Sequence, residues 1–261
     1  FKVFKKLRLK SKLTSITIDI ESSVINVEGH QEGATKGYNP KKLGNRCYNI
    51  QFAFCDELKA FVTGFFRSGN TYTANGAAEL IKEIVATLKT DDLEIFFRMD
   101  SGYFDEEIIE TIESLGCNYL IKAKVYSTLA SQVADSSILF VKGAEGRETT
   151  ELFTKLDKWE KSRRFVVSRV LKPEKERAQL CLLEGSEYEY FFFVTNTKLL
   201  SEAVVISYEK RGNAENYIKE AKYDMAVGQL LLKSFWANEA VFQMMMLSYN
   251  LFLLFKFDYL A

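Results

Sequence analysis

The run Tyr208-Glu-Lys-Arg211-Gly-Asn-Ala-Glu215-Asn-Tyr-Ile-Lys219-Glu-Ala-Lys222 decides how this chain is read. Drawn as a helix at about 100° per residue, Tyr208, Arg211, Glu215 and Lys222 fall within roughly 60° of arc. Ala214, Ile218, Ala221 and Met225 form an apolar stripe beside them. One face can pack on a core while the other holds a carboxylate among cations and a phenol. That grouping suits a metal ion and a phosphate chain held side by side. It also suits a solvated charged face with i,i+4 pairs. The helix by itself leaves both readings open.

The rest of the chain narrows the choice. Its 261 residues suffice for one large domain or two smaller ones. Hydrophobic residues at 47% and charged residues at 27% are ordinary for a globular protein. Twenty-one Phe residues point to a large core rich in strands. Net charge is zero, but its distribution is uneven. Lys2, Lys5, Lys6, Arg8, Lys10 and Lys12 open the chain with no acid among them. Residues 161–177 carry seven basic side chains against Glu174 and Glu176. Local basic surfaces on a neutral chain suit a polyanionic partner.

Cys47, Cys55, Cys117 and Cys181 lack CxxC spacing and read as reduced core residues. His30 is the single histidine, which argues against Ser-His-Asp catalysis and His-rich metal sites. Residues 240–255 are apolar but interrupted by Gln243, Ser248 and Asn250, and read as a buried helix too short to span a bilayer. A start at Phe1, without Met, reads as a fragment of something longer.

Periodicity predicts a strand over Leu13–Ile20, a glycine-rich loop over 22–46 with a short strand near 23–28, and a hairpin of Tyr48–Phe54 with Ala60–Phe66. A helix over 76–88 capped by Asn75, a buried strand over Leu93–Met99 and a helix over Asp105–Leu115 stopped by Gly116 follow. Tyr119–Ala123 is a further strand, giving the order βββαβαβ. Between 125 and 200, the runs Ile138–Val141, Phe165–Leu171, Gln179–Leu183 and Tyr190–Thr195 predict an inserted antiparallel sheet. Helical spacing resumes over Ser201–Ala226 and 234–256.

Asp19 and Asp100 both close strands, and such positions face the crevice where α/β sheets bind ligands. Each alone also fits a turn residue. With Glu215 they make three hard oxygen donors suited to Mg²⁺ or Mn²⁺.

These residues together resemble the catalytic domain of an IS4-type DDE transposase, most closely the IS1380 group. Tyr208, Arg211, Glu215 and Lys222 match that superfamily's Tyr-(2)-Arg-(3)-Glu-(6)-Lys spacing. Gln31-Glu-Gly-Ala-Thr-Lys-Gly-Tyr-Asn-Pro-Lys-Lys resembles the loop after the family's first Asp. Arg67-Ser-Gly-Asn-Thr with Asn75-Gly, Arg98-Met-Asp-Ser-Gly-Tyr-Phe, and Ser234-Phe-Trp-Ala-Asn with Tyr249-Asn-Leu resemble other family blocks. One departure follows Asp19, where relatives often have a second Asp two residues on and then Thr. This chain has Glu21, Ser22 and Ser23.

The resemblance implies an RNase H-like α/β fold, a mixed five-stranded sheet flanked by helices. A β-rich insertion over 125–200 would separate a first part (1–124, with Asp19 and Asp100) from C-terminal helices (201–261, with Glu215). It implies cut-and-paste transposition, with a two-metal Mg²⁺ or Mn²⁺ site on Asp19, Asp100 and Glu215 as catalytic ligands. Tyr208, Arg211, Lys219 and Lys222 would hold DNA phosphates. Trp159, beside Lys158, Lys161, Arg163 and Arg164, either stacks on an unpaired base or packs in the insertion's core. Trp236 is expected to pack the last helix on the sheet.

The implied partners are double-stranded transposon ends and target DNA, engaged by a homodimer in the bacterial cytoplasm and nucleoid, with no membrane. Rival readings are another RNase H-like nuclease, an inactive or domesticated DNA-binding remnant, and a sugar-phosphate hydrolase.

Overall fold

The computed structural model describes residues 1–37, 39, 42–133, 138–173, 187–213, 216–217, 219 and 232–259. The chain divides into two compact units, Phe1–Asn118 with Lys210–Ala261, and Tyr119–Glu209.

The first unit is built on β1 (Ser15–Val27), β3 (Arg46–Cys55), β4 (Ala60–Ser68) and β5 (Glu94–Met99), in the order β4-β3-β1-β5. A two-residue β2 (Thr35–Lys36) adds to the start of β3. β1 runs antiparallel to β3, and β3 to β4, while β5 lies parallel to β1. The unit's sheet is therefore mixed. The predicted strand at Leu13–Ile20 and the short one near 23–28 are one continuous strand. Ser22 and Ser23 do not interrupt it, because β3 pairs with it from Ile18 to Val27.

Helix α1 (Lys2–Ser11) was not foreseen. Its basic sequence hides a small packing surface, with only Phe4 and Leu7 buried at i,i+3 spacing. Helix α2 (Ala77–Leu88) starts from Gly76 in the left-handed region (φ 76°), without the side-chain cap predicted from Asn75. The Asn75 carbonyl instead accepts a hydrogen bond from Arg67 Nη1 at 2.5 Å. Arg67 also reaches the carbonyls of Tyr72 and Thr73 and Oδ1 of Asn49, so it fastens the whole loop before α2. Helix α3 (Glu106–Ser114) is capped by Asp105, which accepts from the Glu107 N–H at 2.9 Å.

One face of this sheet carries Ile25, Val27, Tyr48, Ile50, Phe52, Phe54, Phe61 and Phe66, packed against Phe242, Met246 and Tyr249. The last three lie on a C-terminal helix spanning Phe235–Tyr259. The predicted helix is therefore present but longer, and buried along one side only. Leu247, Leu251, Phe252 and Phe255 are exposed. By length and composition alone it could cross a membrane. Its amides, however, bond to β4. Asn250 accepts from the Phe61 N–H at 3.0 Å and donates to the Phe61 carbonyl at 2.6 Å, and Gln243 donates to the Gly64 carbonyl at 2.8 Å. Gly64 allows the crossing, since a Cβ there would lie 2.7 Å from the Gln51 carbonyl oxygen and 3.0 Å from the Phe242 ring.

Trp236, expected to pack on the sheet, is 70% exposed. Its neighbour Phe235 fills that place, 5.3 Å from the Phe66 ring and 6.2 Å from Tyr48. The Gln31–Gly33 loop caps this helix, because the Glu32 carboxylate accepts from the Phe235 N–H at 3.0 Å. Replacing Asn250 with Leu strips both Phe61 backbone groups of buried partners. It is expected to lower unfolding free energy by about 2–3 kcal/mol in urea titration.

In the second unit, β6 (Asn118–Lys122), β10 (Tyr188–Thr195), β9 (Arg163–Leu171), β8 (Arg147–Thr154) and β7 (Val141–Lys142) form an antiparallel sheet in that order. The predicted β-rich run contains a sheet, with three differences. Of the strand predicted at Ile138–Val141 only Val141 is in one, as part of β7. β8 escaped notice because Arg-Glu-Thr-Thr-Glu is polar, and helix α4 (Ser127–Val133) was unforeseen. Residues 179–183 lie outside the described ones. Helix α5 (Ser201–Glu209) begins where Ser201 Oγ donates to Glu151 Oε1 at 2.6 Å. The C-terminal helix is α6.

Candidate active site

Alternation along β1 puts Asp19 and Glu21 on the same side of the strand. That is the aromatic face, since Asp19 pairs with Phe54 and Glu21 with Phe52 across β3. Parallel pairing with β5 sets Asp19 level with Arg98 and Ile20 level with Met99. One step further brings Glu21 level with Asp100, just past the end of β5.

Asp19 is fully buried, and Arg98 grips it through two hydrogen bonds. Nε donates to Oδ1 at 2.6 Å and Nη2 to Oδ2 at 2.7 Å. Arg98 Nη2 also donates to Asp56 Oδ2 at 3.0 Å, and Lys59 pairs with the other Asp56 oxygen at 2.6 Å. Burial pushes the Asp19 carboxyl up to about 6, against the pull of Arg98. Burial also works against Arg98's charge, but Asp19 and Asp56 outweigh it and hold the guanidinium above its usual range. Burial would raise Asp56 as well, yet Lys59 and Arg98 together hold it below the ordinary carboxylate value. An Arg inside the apolar run Ile95–Met99 was the sequence signal for this pair, because a buried guanidinium requires carboxylates.

Asp100 stands at the start of a short 3₁₀ turn, Ser101–Tyr103, and its Oδ1 accepts from the Gly102 N–H at 2.8 Å. Its side chain is 37% exposed, so one oxygen is tied to the turn and the carboxylate still reaches solvent. Gly102 is required here. A Cβ would lie 2.9 Å from Thr73 Cγ2 and 3.0 Å from Asp100 Oδ1.

Asp19 and Glu21 stand inside β1 and not at its end as expected for Asp19, because pairing with β3 carries the strand on to Val27. Arg211 links the middle of β1 to the turn after β5. Its guanidinium pairs with Glu21, and Nη2 lies 3.7 Å from Asp100 Oδ2. Farther along the same segment, the Tyr217 ring stacks on Phe54 at 5.4 Å and 15°, and Lys59 lies 5.3 Å from the Tyr217 centroid. Arg211 and Tyr217 are thus both seated on the face that carries Asp19 and Glu21. Glu215 and Lys222, the predicted third ligand and phosphate contact, lie outside the described residues. Lys219 is helical and exposed. Among the described residues, no group of three or more His, Cys, Asp or Glu is arranged to hold a metal ion. What they do supply is a pair of hard oxygen donors, Glu21 and Asp100, which share one cationic partner.

Tyr208 and Trp159 belong to the second unit. The Tyr208 ring packs on Phe193 at 4.8 Å. Trp159 is only 8% exposed, stacks on Phe165 at 5.9 Å and has the Arg163 guanidinium 4.9 Å from its centroid. Of the two readings of Trp159, this is the geometry of a packed ring. Neighbouring basic residues are likewise engaged. Arg164 pairs with Glu151, and Arg169 with Glu148 at 2.6 Å.

Sequence reasoning singled out Asp19 and Asp100, and missed Arg98, Asp56 and the place of Glu21. Strand alternation flags Glu21 as readily as Asp19. Only the parallel register tells which of them stands level with Asp100.

Comparison with curated proteins returned no match. Among solved structures, the piggyBac transposase in a synaptic complex with hairpin DNA shares the fold at TM-score 0.52 and 11% identity. The overlap takes in 90% of this chain and 47% of that one, so the chain spans about half its length. Endonuclease V of Ciona intestinalis, solved with an inosine-containing DNA, aligns over 79% of this chain and 84% of its own at 12% identity, with a TM-score of 0.30. A family model described as Transposase DDE domain group 1 matches residues 4–261. With all but its first three residues inside that match, the chain belongs to the family of transposase DDE domains of group 1.

Proposed function

We propose that this chain is the catalytic core of an IS4-type transposase, nearest the IS1380 group in its motifs, acting by cut-and-paste transposition. It cleaves DNA at element ends and joins the freed 3′-hydroxyls to target DNA. The observation that carries this reading is the meeting of an acid of β1, Glu21, with Asp100 just past the carboxyl end of β5, under an arginine from the Tyr-Arg-Glu-Lys segment. The carboxyl end of a parallel strand, where Asp100 stands, is where sheets of this class place their ligands. The similarity to a transposase solved on DNA supports the same partner here, and a homodimer on two DNA ends fits the need to pair them.

The donor set fits Mg²⁺ or Mn²⁺, which favour carboxylate oxygens. Asp100, one acid of β1 and Glu215 would hold the ions. When bound, such ions supply Lewis-acid stabilisation of the attacking and leaving oxygens of a phosphodiester. Asp100 is oriented for this by the Gly102 N–H, which fixes one oxygen and directs the carboxylate at the strand end. Arg211 offers a planar fork suited to phosphate. Lys219 and Lys222 would add point charges for phosphate. No step calls for a nucleophilic side chain, in keeping with the lone, exposed His30. We place the protein in the bacterial cytoplasm, associated with the nucleoid.

The reading is tested by incubating the full-length protein with Mn²⁺ and its own flanking element ends, then mapping the breaks on a denaturing gel. Cuts are expected at the element boundary and nowhere else along the fragment. Random nicking would favour a nuclease without end recognition, and intact DNA a binding remnant.

A further inference from the structure

Asp19-Ile20-Glu21 places two acids on one face of β1, and the two are used differently. Both oxygens of Asp19 face the Arg98 guanidinium inside the sheet. Arg98 is itself buried and held from its other side by Asp56. To coordinate a metal, Asp19 would have to give up two short charge-assisted hydrogen bonds and leave a buried guanidinium short of charge, which is costly. Glu21 faces a different cation. Its cationic partner Arg211 comes from the segment that also reaches Asp100. The strand register puts Glu21, and not Asp19, level with Asp100. Burial pushes the Tyr103 hydroxyl well above its usual range, and the charges of Glu21 and Asp100 both add to that rise. Both acids therefore crowd one neighbourhood.

We infer that Glu21 is the metal-binding carboxylate of β1, while Asp19 is a positioning residue whose task is to hold Arg98 and join β1 to β5. This rests on the proposed function and specifies its site. The guanidinium of Arg211 holds the place between Glu21 and Asp100 and yields to a divalent ion that binds both. Glutamate suits the position because its extra methylene carries the carboxylate from β1 toward Asp100, which lies beyond the end of β5.

The test uses the whole chain and Mn²⁺ alone, with binding read from the electron paramagnetic resonance signal of free Mn²⁺ and folding from thermal melts. Glu21→Gln is expected to weaken Mn²⁺ binding by at least about tenfold, since even outer-shell changes cost that much. Glu21→Asp is expected to recover most of it. Asp19→Asn is expected to lower the melting temperature, yet bind Mn²⁺ within about threefold of wild type when held below its transition. Wild-type affinity in Glu21→Gln overturns the inference, and so does loss of Mn²⁺ binding in a folded Asp19→Asn. If Asp19→Asn does not fold, the two Glu21 variants decide alone. Undiminished Mn²⁺ binding in Asp100→Asn would mean that the proposed site itself is misplaced, and would leave nothing for Glu21 to complete.

Discussion

Replacing Arg98 with Leu is expected to destabilise the protein by about 3–5 kcal/mol, among the largest effects any single change in this chain should have. The side chain is wholly inside and serves two carboxylates from different strands or turns, Asp19 on β1 and Asp56 in the β3–β4 turn. Leucine is apolar enough for the site but leaves Asp19 buried without its counter-ion. The carboxyl then escapes its charge by taking up a proton. Its pKa already stands at about 6 in the folded chain against an ordinary 3.8, because burial outweighs Arg98. Without Arg98 it moves higher still.

The sign follows from proton counting. Between 3.8 and about 6 the folded protein binds more protons at Asp19 than the unfolded one. This group's contribution is therefore fully present below the unfolded value and is lost as pH rises through the folded one. In Arg98→Leu that loss extends to higher pH, so the penalty measured by urea titration should be larger at pH 8 than at pH 5. A penalty equal at both would mean that Asp19 does not depend on Arg98 for its charge.

The parts of this fold that were legible in the sequence are those where one strand or helix carries its own signal. Ile95–Met99 reads as a buried strand because four of its five residues are apolar, and its end at Asp100 is marked by Ser-Gly. The β3–β4 hairpin announces itself through two aromatic runs and a polar turn. Helix α1 and β8 did not, since each hides a small apolar surface in charged or polar sequence, Phe4 and Leu7 in one and Leu152 in the other. The site divided along the same line. An acid that ends a strand, as Asp100 does, is visible one strand at a time, whereas the choice between Asp19 and Glu21 inside β1 depends on how β1 aligns with β5, some eighty residues away. No local pattern encodes that register. It is fixed by the packing of Ile16, Ile18 and Ile20 beside Phe97 and Met99 in the same buried core. The family blocks were visible as motifs, but their physical work was not. Glu32 caps α6 and Arg67 pins the loop before α2, and both are structural tasks that spacing alone does not reveal.

Changing Asp100 to Asn is expected to cut Mn²⁺-dependent cleavage of element ends by about a thousandfold or more, the several kcal/mol that a metal contributes to the transition state. The substitution removes charge and little else. Asparagine keeps an oxygen to accept the Gly102 N–H, and it caps helical turns about as well as aspartate, so the Ser101–Tyr103 turn should survive. The side chain is 37% exposed, so no buried charge is stranded, and urea stability should change by less than about 0.5 kcal/mol. Binding to element-end DNA, measured by fluorescence anisotropy, should persist, because the phosphate contacts proposed for Arg211, Lys219 and Lys222 would not require the ion. The variant therefore separates chemistry from folding and from DNA affinity. Cleavage at the wild-type rate in Asp100→Asn would remove Asp100 from the site, whatever the fate of Glu21. Loss of stability and cleavage together would say instead that the carboxylate's main task is to shape the turn.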